Sequence, residues 1–250
     1  MQKIYTIFIL ILFSKSILFG QGVDSISGKK ENKTVKILGI AIPSAMIVYG
    51  IISLEDNAIR NIDFNVQNSL EKNNRFWHVK ADDYIQFTPT VAAYTLKLCK
   101  VESKHNFLDM TILYGLSNVL AGSVIQGAKY ISYRERPDND NDRSFPSGHT
   151  GIAFVSAEFL YQEYKDKSIW IGIGGYGVAT FVGVARVYNN RHWVSDVVAG
   201  AGIGILSTKA VYWVYPYLQD IFGKKDQQLN TVILPGYSNG NFSLALSHTF

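Results

Sequence analysis

Three short clusters hold side chains that suit work on a phosphoryl group, and they follow one another in the chain. They are Lys129 with Arg136-Pro137, then Pro146-Ser147-Gly148-His149, then Arg186 with His192 and Asp196. Two guanidiniums and an ammonium neutralise the non-bridging oxygens of a phosphate. Backbone N–H groups around Ser147, Gly148 and His149 cap the same anion if a helix begins there. One imidazole can attack phosphorus while the other protonates the departing oxygen. With protein cations supplying the charge, neither a metal nor another cofactor is required. His192 and Asp196 stand four residues apart. On a helix that spacing lets the carboxylate accept the Nδ1 proton and leaves Nε2 free to attack.

Other patterns in the chain lead elsewhere. Asp138, Asp140 and Asp142 imitate the start of a calcium loop. The sixth position is Arg143 where glycine is needed and the twelfth is His149 where a bidentate glutamate is needed, which excludes it. Gly172-x-Gly174-x-x-Gly177 spells a dinucleotide fingerprint, but it lies inside an apolar run with no strand before it, so it reads as helix packing. Cys99 is the only cysteine, so no intrachain disulfide forms. His78, His105 and His248 have no partner pattern and read as structural or exposed, and Arg134 and Arg143 read as rim charges.

The elements that must position these clusters are helical. Apolar stretches cover about 35–54, 84–99, 107–128, 150–163, 168–185 and 193–217, and residues 55–75 carry the spacing of an amphipathic helix lying on a surface. The expectation is an all-α bundle of about six helices, membrane-embedded, over residues 35–217. A tail at 230–250 alternates like a β-hairpin and reads as a small packed appendage. Lys129 ends one helix, His149 begins the next, Arg186 ends a third and Asp196 begins a fourth, so in an up-and-down bundle all four ends share one face.

Charge sets the orientation. The connections on the other face carry Lys97, Lys100, Lys104, Lys165 and Lys167. That pattern predicts an inner-membrane protein whose motif face looks toward the periplasm. The segment 1–20 reads as a signal peptide or an N-terminal anchor. A cleaved signal followed by a spanning 35–54 would turn the motif face inward, against the lysines. Either one of those two is not a crossing, or the bundle is exported whole and is periplasmic or associated with the outer membrane. The net charge of +4 suits an anionic substrate or a membrane surface and lacks the basic runs of a nucleic-acid binder.

The order Lys129-x6-Arg136-Pro137, Pro146-Ser147-Gly148-His149 and Arg186-x5-His192-x3-Asp196 resembles the signature of the type-2 phosphatidic acid phosphatase superfamily, which includes lipid phosphate phosphatases, bacterial acid phosphatases and vanadium haloperoxidases. The resemblance implies that His192 attacks to form a phosphohistidine and that Asp196 orients it. It implies that Lys129, Arg136, Ser147, Gly148 and Arg186 hold the phosphoryl oxygens. His149 then protonates the leaving group and activates water. The apolar helices favour a lipid phosphate or diphosphate as the substrate. The alternatives are an exported soluble acid phosphatase for small esters and a vanadate-dependent haloperoxidase. One departure stands out: the third motif usually opens Ser-Arg and here opens Ala185-Arg186, which predicts tuning of activity rather than its loss.

Overall fold

The computed structural model describes residues 33–73, 75–77, 80–223, 230–238 and 241–249. The segment 1–20 and His78 lie outside them. Among the described residues there are eight helices: α1 (Lys33–Ile52), α2 (Ala58–Lys72), α3 (Asp82–Ile85), α4 (Thr88–Leu98), α5 (Phe107–Ser132), α6 (Gly148–Tyr164), α7 (Ile169–Tyr188) and α8 (Val194–Gly223). Two strands follow, β1 (Asn230–Ser238) and β2 (Asn241–Thr249). The residues up to Val211 form one compact unit and those from Tyr212 a second.

Local chemistry explains most boundaries. Asn57 caps α2, accepting from the amides of Ile59 and Arg60 at 2.8 and 3.1 Å, and Asn106 caps α5 through Asp109 N at 2.8 Å. The apolar run at 84–99 becomes two helices because Pro89 stands in the first turn of α4. Its ring cannot follow a continuous turn, so α3 stops short of it. That break and the separate α2 raise the count from about six to eight. The Gly172–Gly177 stretch is helical throughout, inside α7, and Gly172 and Gly175 face Tyr161 and Leu160 of α6 closely.

α6 is the centre of the larger unit, with buried residues along nearly its whole length. Ala153, Phe154 and Ala157 of α6 form a core with Ala179 and Val182 of α7 and Ala201 and Ile205 of α8. Close approach of α8 depends on glycine. A Cβ on Gly200 would sit 2.5 Å from the carbonyl oxygen of Ser147, immediately before α6. A polar seam crosses this core. Glu158, fully buried, accepts from Gln162 Nε2 at 2.6 Å and from the Tyr176 hydroxyl, and pairs with Lys209 Nζ at 2.8 Å.

Outward faces are apolar. Leu108, Val119, Val91 and Trp170 are more than half exposed, and Ile37, Ile42 and Ile173 are at least half exposed. Among the described residues, three helices are long and apolar enough to cross a membrane: α5, α7 and the Val194–Asp220 part of α8. Ile37–Ile52 is a shorter apolar helix. The second unit contains the hairpin expected of the tail, with β1 and β2 antiparallel and in register from Asn230↔Thr249 to Ser238↔Asn241.

α2 corrects one expectation. It is a helix, but it does not simply lie on a surface by its apolar residues: Ile62 and Phe64 are exposed, whereas Asp63 is buried with Leu70. The reason is the partner that Asp63 finds inside.

Candidate active site

The helix ends converge as the spacing required. Lys129 lies in the last turn of α5, Gly148 and His149 open α6, Arg186 lies in the last turn of α7, and Asp196 lies in the first turn of α8. Short bonds lock the connecting segments. Ser147 N donates to Asp196 O at 3.0 Å, tying the second cluster to the third by backbone alone. Lys129 Nζ donates to the carbonyl of Arg143 at 2.7 Å, and Ser132 Oγ to that of Phe145 at 3.1 Å, so the loop before α6 is held against the end of α5.

Each expected residue has a definite environment. Arg186 is buried, and its Nη1 donates to Asp82 Oδ2 at 2.7 Å. Arg136 is half-buried and pairs with Asp140 at 3.4 Å. The Nε atoms of Arg136 and Arg186 are both buried without a hydrogen-bond partner. Two such guanidinium donors are expensive to leave unmet unless an anion completes them. Ser147 occupies the N-cap of α6, but its hydroxyl makes no cap bond. It is fully buried, 2.9 Å from Thr150 Oγ1. A Cβ built on Gly148 would meet nothing within 4 Å, so the backbone there borders open space. The first amides of α6 have no acceptor within the helix and carry its positive dipole end.

His192 is buried, with Nδ1 3.7 Å from Asp196 Oδ2 and 3.5 Å from Ser144 Oγ. The first distance is too long for a hydrogen bond, so Asp196 acts as a charged neighbour and its direct partners are others. Its Oδ2 accepts from Ser144 Oγ at 2.5 Å and from Trp193 N at 3.0 Å. Burial pulls the His192 pKa down to about 4; Asp196 opposes the shift, while Lys129 and Arg186 add to it. The ring is therefore neutral around pH 7, and its Nε2 lone pair is available. His149 is half-buried, and its Nε2 lies 2.9 Å from Asp83 Oδ1. Its pKa is also lowered, by burial first and then by Arg186, with Asp83 and Asp82 opposing.

Arg134 is not a rim charge. It is buried, with Nη1 2.7 Å from Asp196 Oδ1, 2.7 Å from Ser195 Oγ and 3.2 Å from Ser53 Oγ, and Nη2 2.6 Å from Asp63 Oδ2. Asp63 also accepts from Ser195 N at 3.0 Å. Two buried carboxylates from α2 and α8 thus share one guanidinium, which draws Arg134 inward. Arg143 does stay exposed, with its guanidinium 5.0 Å from the Tyr130 ring. Asp63, Asp82, Asp83, Ser144 and Ser195 belong to no motif. Asp63 alone had a local signal, a charge in the apolar stripe Ile59, Val66, Leu70.

An apolar cleft of about 300 Å³ opens beside Arg186, lined by Trp77, Ala81, Asp82, Phe181 and Ala185. Ala185, the departure in the third motif, is one of its walls, so a missing hydroxyl keeps that wall apolar.

The chain resembles known proteins over part of its length. Residues 110–220 match the family model of the PAP2 superfamily. Lipid A 1-phosphatase of Porphyromonas gingivalis is 35% identical over 155 residues, 62% of this chain and 35% of that protein. Phosphatidylglycerophosphatase B of Bacillus subtilis is 37% identical over 86 residues, 29% of this chain and 42% of that protein. The matches span between 35% and 48% of the length of these and the other curated relatives. The crystal structure of Aquifex aeolicus LpxE aligns with a TM-score of 0.46 at 20% identity, over 64% of this chain and 98% of that one.

Proposed function

We propose that this chain, whose residues 110–220 match the PAP2 superfamily, is a membrane phosphatase that removes phosphate from a lipid phosphate or diphosphate through a phosphohistidine. Nε2 of His192 attacks phosphorus and the bond to the leaving oxygen breaks. His149 gives that oxygen its proton. Water, deprotonated by His149, then attacks the phosphohistidine; the P–N bond breaks and both imidazoles return to their starting states. Lys129, Arg136, Arg186, the Ser147 turn and the Gly148 amide hold the equatorial oxygens, and their charge substitutes for a divalent ion. Asp196 keeps His192 oriented through Ser144.

The observation that carries this reading is the pair of buried, unpartnered Nε donors on Arg136 and Arg186, beside a neutral buried imidazole. The lipid class is supported by the three apolar helices, by a site at helix ends, and by the apolar cleft next to Arg186. Its volume lies at the lower end of the range for small-molecule sites. Similarity to a protein named for lipid A points the same way.

The test is phosphate release by detergent-solubilised protein from phosphatidic acid, phosphatidylglycerophosphate, an isoprenyl diphosphate and lipid A, against glycerol phosphate. Lipid esters should be preferred in kcat/KM by roughly tenfold or more, EDTA should leave turnover intact, and vanadate should inhibit. Activity lost to EDTA and restored by magnesium overturns the metal-free mechanism. Preference for the small ester makes the protein an exported acid phosphatase.

The site faces the periplasm in this reading, because short lysine-bearing connections at 97–104 and 165–167 resist translocation. In a Cys99→Ser background, Asp142→Cys should react with a membrane-impermeant maleimide in intact cells and Asp166→Cys should not. The opposite labelling inverts the orientation.

A further inference from the structure

Asp83 lies outside all three clusters, on a helix of four residues, yet it touches the site at two points. Its Oδ1 is 2.9 Å from Nε2 of His149 and 3.6 Å from Nη1 of Arg186. Its neighbour Asp82 is buried and differently occupied, accepting from Arg186 Nη1 at 2.7 Å and from Asn189 Nδ2 at 3.3 Å. The adjacent carboxylates therefore divide their contacts: Asp82 fixes the guanidinium at 2.7 Å, while Asp83 meets the imidazole at 2.9 Å and reaches the guanidinium only at 3.6 Å.

The demand on His149 explains why a carboxylate is needed there. A general acid must hold a proton before the leaving group departs. Burial and the nearby Arg186 cation both disfavour an imidazolium. Among the described residues the charges that act on His149 are those of Arg186, Asp82 and Asp83. Asp82 is bonded to Arg186 at 2.7 Å and offsets part of its charge. Asp83 supports the imidazolium more than Asp82 does, and it is the anion within hydrogen-bond reach of the ring.

From this geometry we infer that Asp83 is the positioning residue for His149: it accepts the Nε2 proton, sets the ring angle and stabilises the imidazolium that serves as the acid. The proton passed to the leaving oxygen is then the one on the nitrogen that Asp83 does not hold, and water returns it in the second step. The inference rests on the proposed role of His149 and adds a residue that no motif contains.

The test compares wild-type protein with Asp83→Asn and Asp83→Glu in detergent, using phosphatidic acid. In kcat/KM the alkaline limb reports loss of the His149 proton in the free enzyme. Removing the Asp83 charge lowers that proton's affinity further, so the limb of Asp83→Asn should move to lower pH by roughly one unit. Ionisation of the substrate is common to all three proteins and cancels in the comparison. kcat should fall roughly tenfold or more with KM little changed, and Asp83→Glu should restore the limb. NMR titration of the imidazoles in the resting protein supplies a readout free of turnover: the His149 midpoint should drop in Asp83→Asn. An unmoved midpoint and limb overturn the inference while leaving the phosphatase reading intact. So does a fall in KM with tighter vanadate inhibition and unchanged kcat, since Asp83 would then be a competitor for the anion's place. A dropped midpoint in Asp83→Asn, together with wild-type protein that hydrolyses no ester, leaves the Asp83–His149 pairing standing and removes the phosphatase reading instead.

Discussion

His192→Ala should lower phosphate release by roughly 10⁴-fold or more, the largest loss expected of any single change in the site. The ring is buried and neutral, with Nδ1 turned toward Ser144 and Asp196. In the proposed mechanism His149 serves as acid and Ser147 holds oxygens, so without His192 the covalent step has no route. Leaving-group chemistry separates this loss from that of His149→Ala. A p-nitrophenyl ester departs without help from an acid, so His149→Ala should still release a stoichiometric burst of p-nitrophenol from that substrate and His192→Ala should release none. Acid-quenched labelling with radioactive substrate should trap phosphoprotein in His149→Ala and not in His192→Ala. Near-normal turnover by the His192 variant would end the phosphohistidine mechanism.

Arg134→Ala should be the most destabilising substitution near the site. Its guanidinium spans Asp63 and Asp196 at 2.6 and 2.7 Å, all three groups being buried. Removing it strands two carboxylates away from water, at a cost of about 3–5 kcal/mol. Arg134→Lys should recover only part, because an ammonium is a point charge and cannot repeat the fork that meets both partners and Ser195. Thermal unfolding in detergent measures both variants. A surface arginine would shift stability by about 0.5 kcal/mol or less, so an unchanged melting temperature in Arg134→Ala would refute the buried bridge.

The contrast between these two residues shows what a sequence discloses. His192 is legible because its partners are close in the chain and the three clusters repeat a known order. The helices are legible because runs such as 107–128 and 168–185 are apolar and end at the residues that do chemistry. Arg134 is invisible because its partners are remote: Asp63 comes from α2 and Ser53 from the α1–α2 connection, and nothing in a local window links them to position 134. Asp82 and Asp83 are hidden for the same reason, with more than one element between them and Arg186. Asp63 was half-legible. It falls on the stripe that buries Leu70, and a charge on a buried stripe implies a partner of opposite sign. The i, i+4 spacing of His192 and Asp196 predicts their proximity but not that Ser144 and the Trp193 amide also donate to the same carboxylate.

The seam formed by Glu158, Gln162, Tyr176 and Lys209 bears on how the protein enters a bilayer at all. Glu158 lies about 14 Å along α6 from His149 and about 9 Å from the helix's other end at Tyr164. Synthesis exposes α6 to the insertion machinery before Lys209 exists. An ionised side chain at the centre of a lone helix costs about 3 kcal/mol to insert, and α6 is not among the helices apolar enough to offset this. The carboxylate must therefore wait, protonated or sheltered in the translocation channel, until α8 delivers its counter-ion. In the proposed membrane placement, assembly then waits on α8, and the Glu158–Lys209 contact that closes the core also sets the moment of release to lipid.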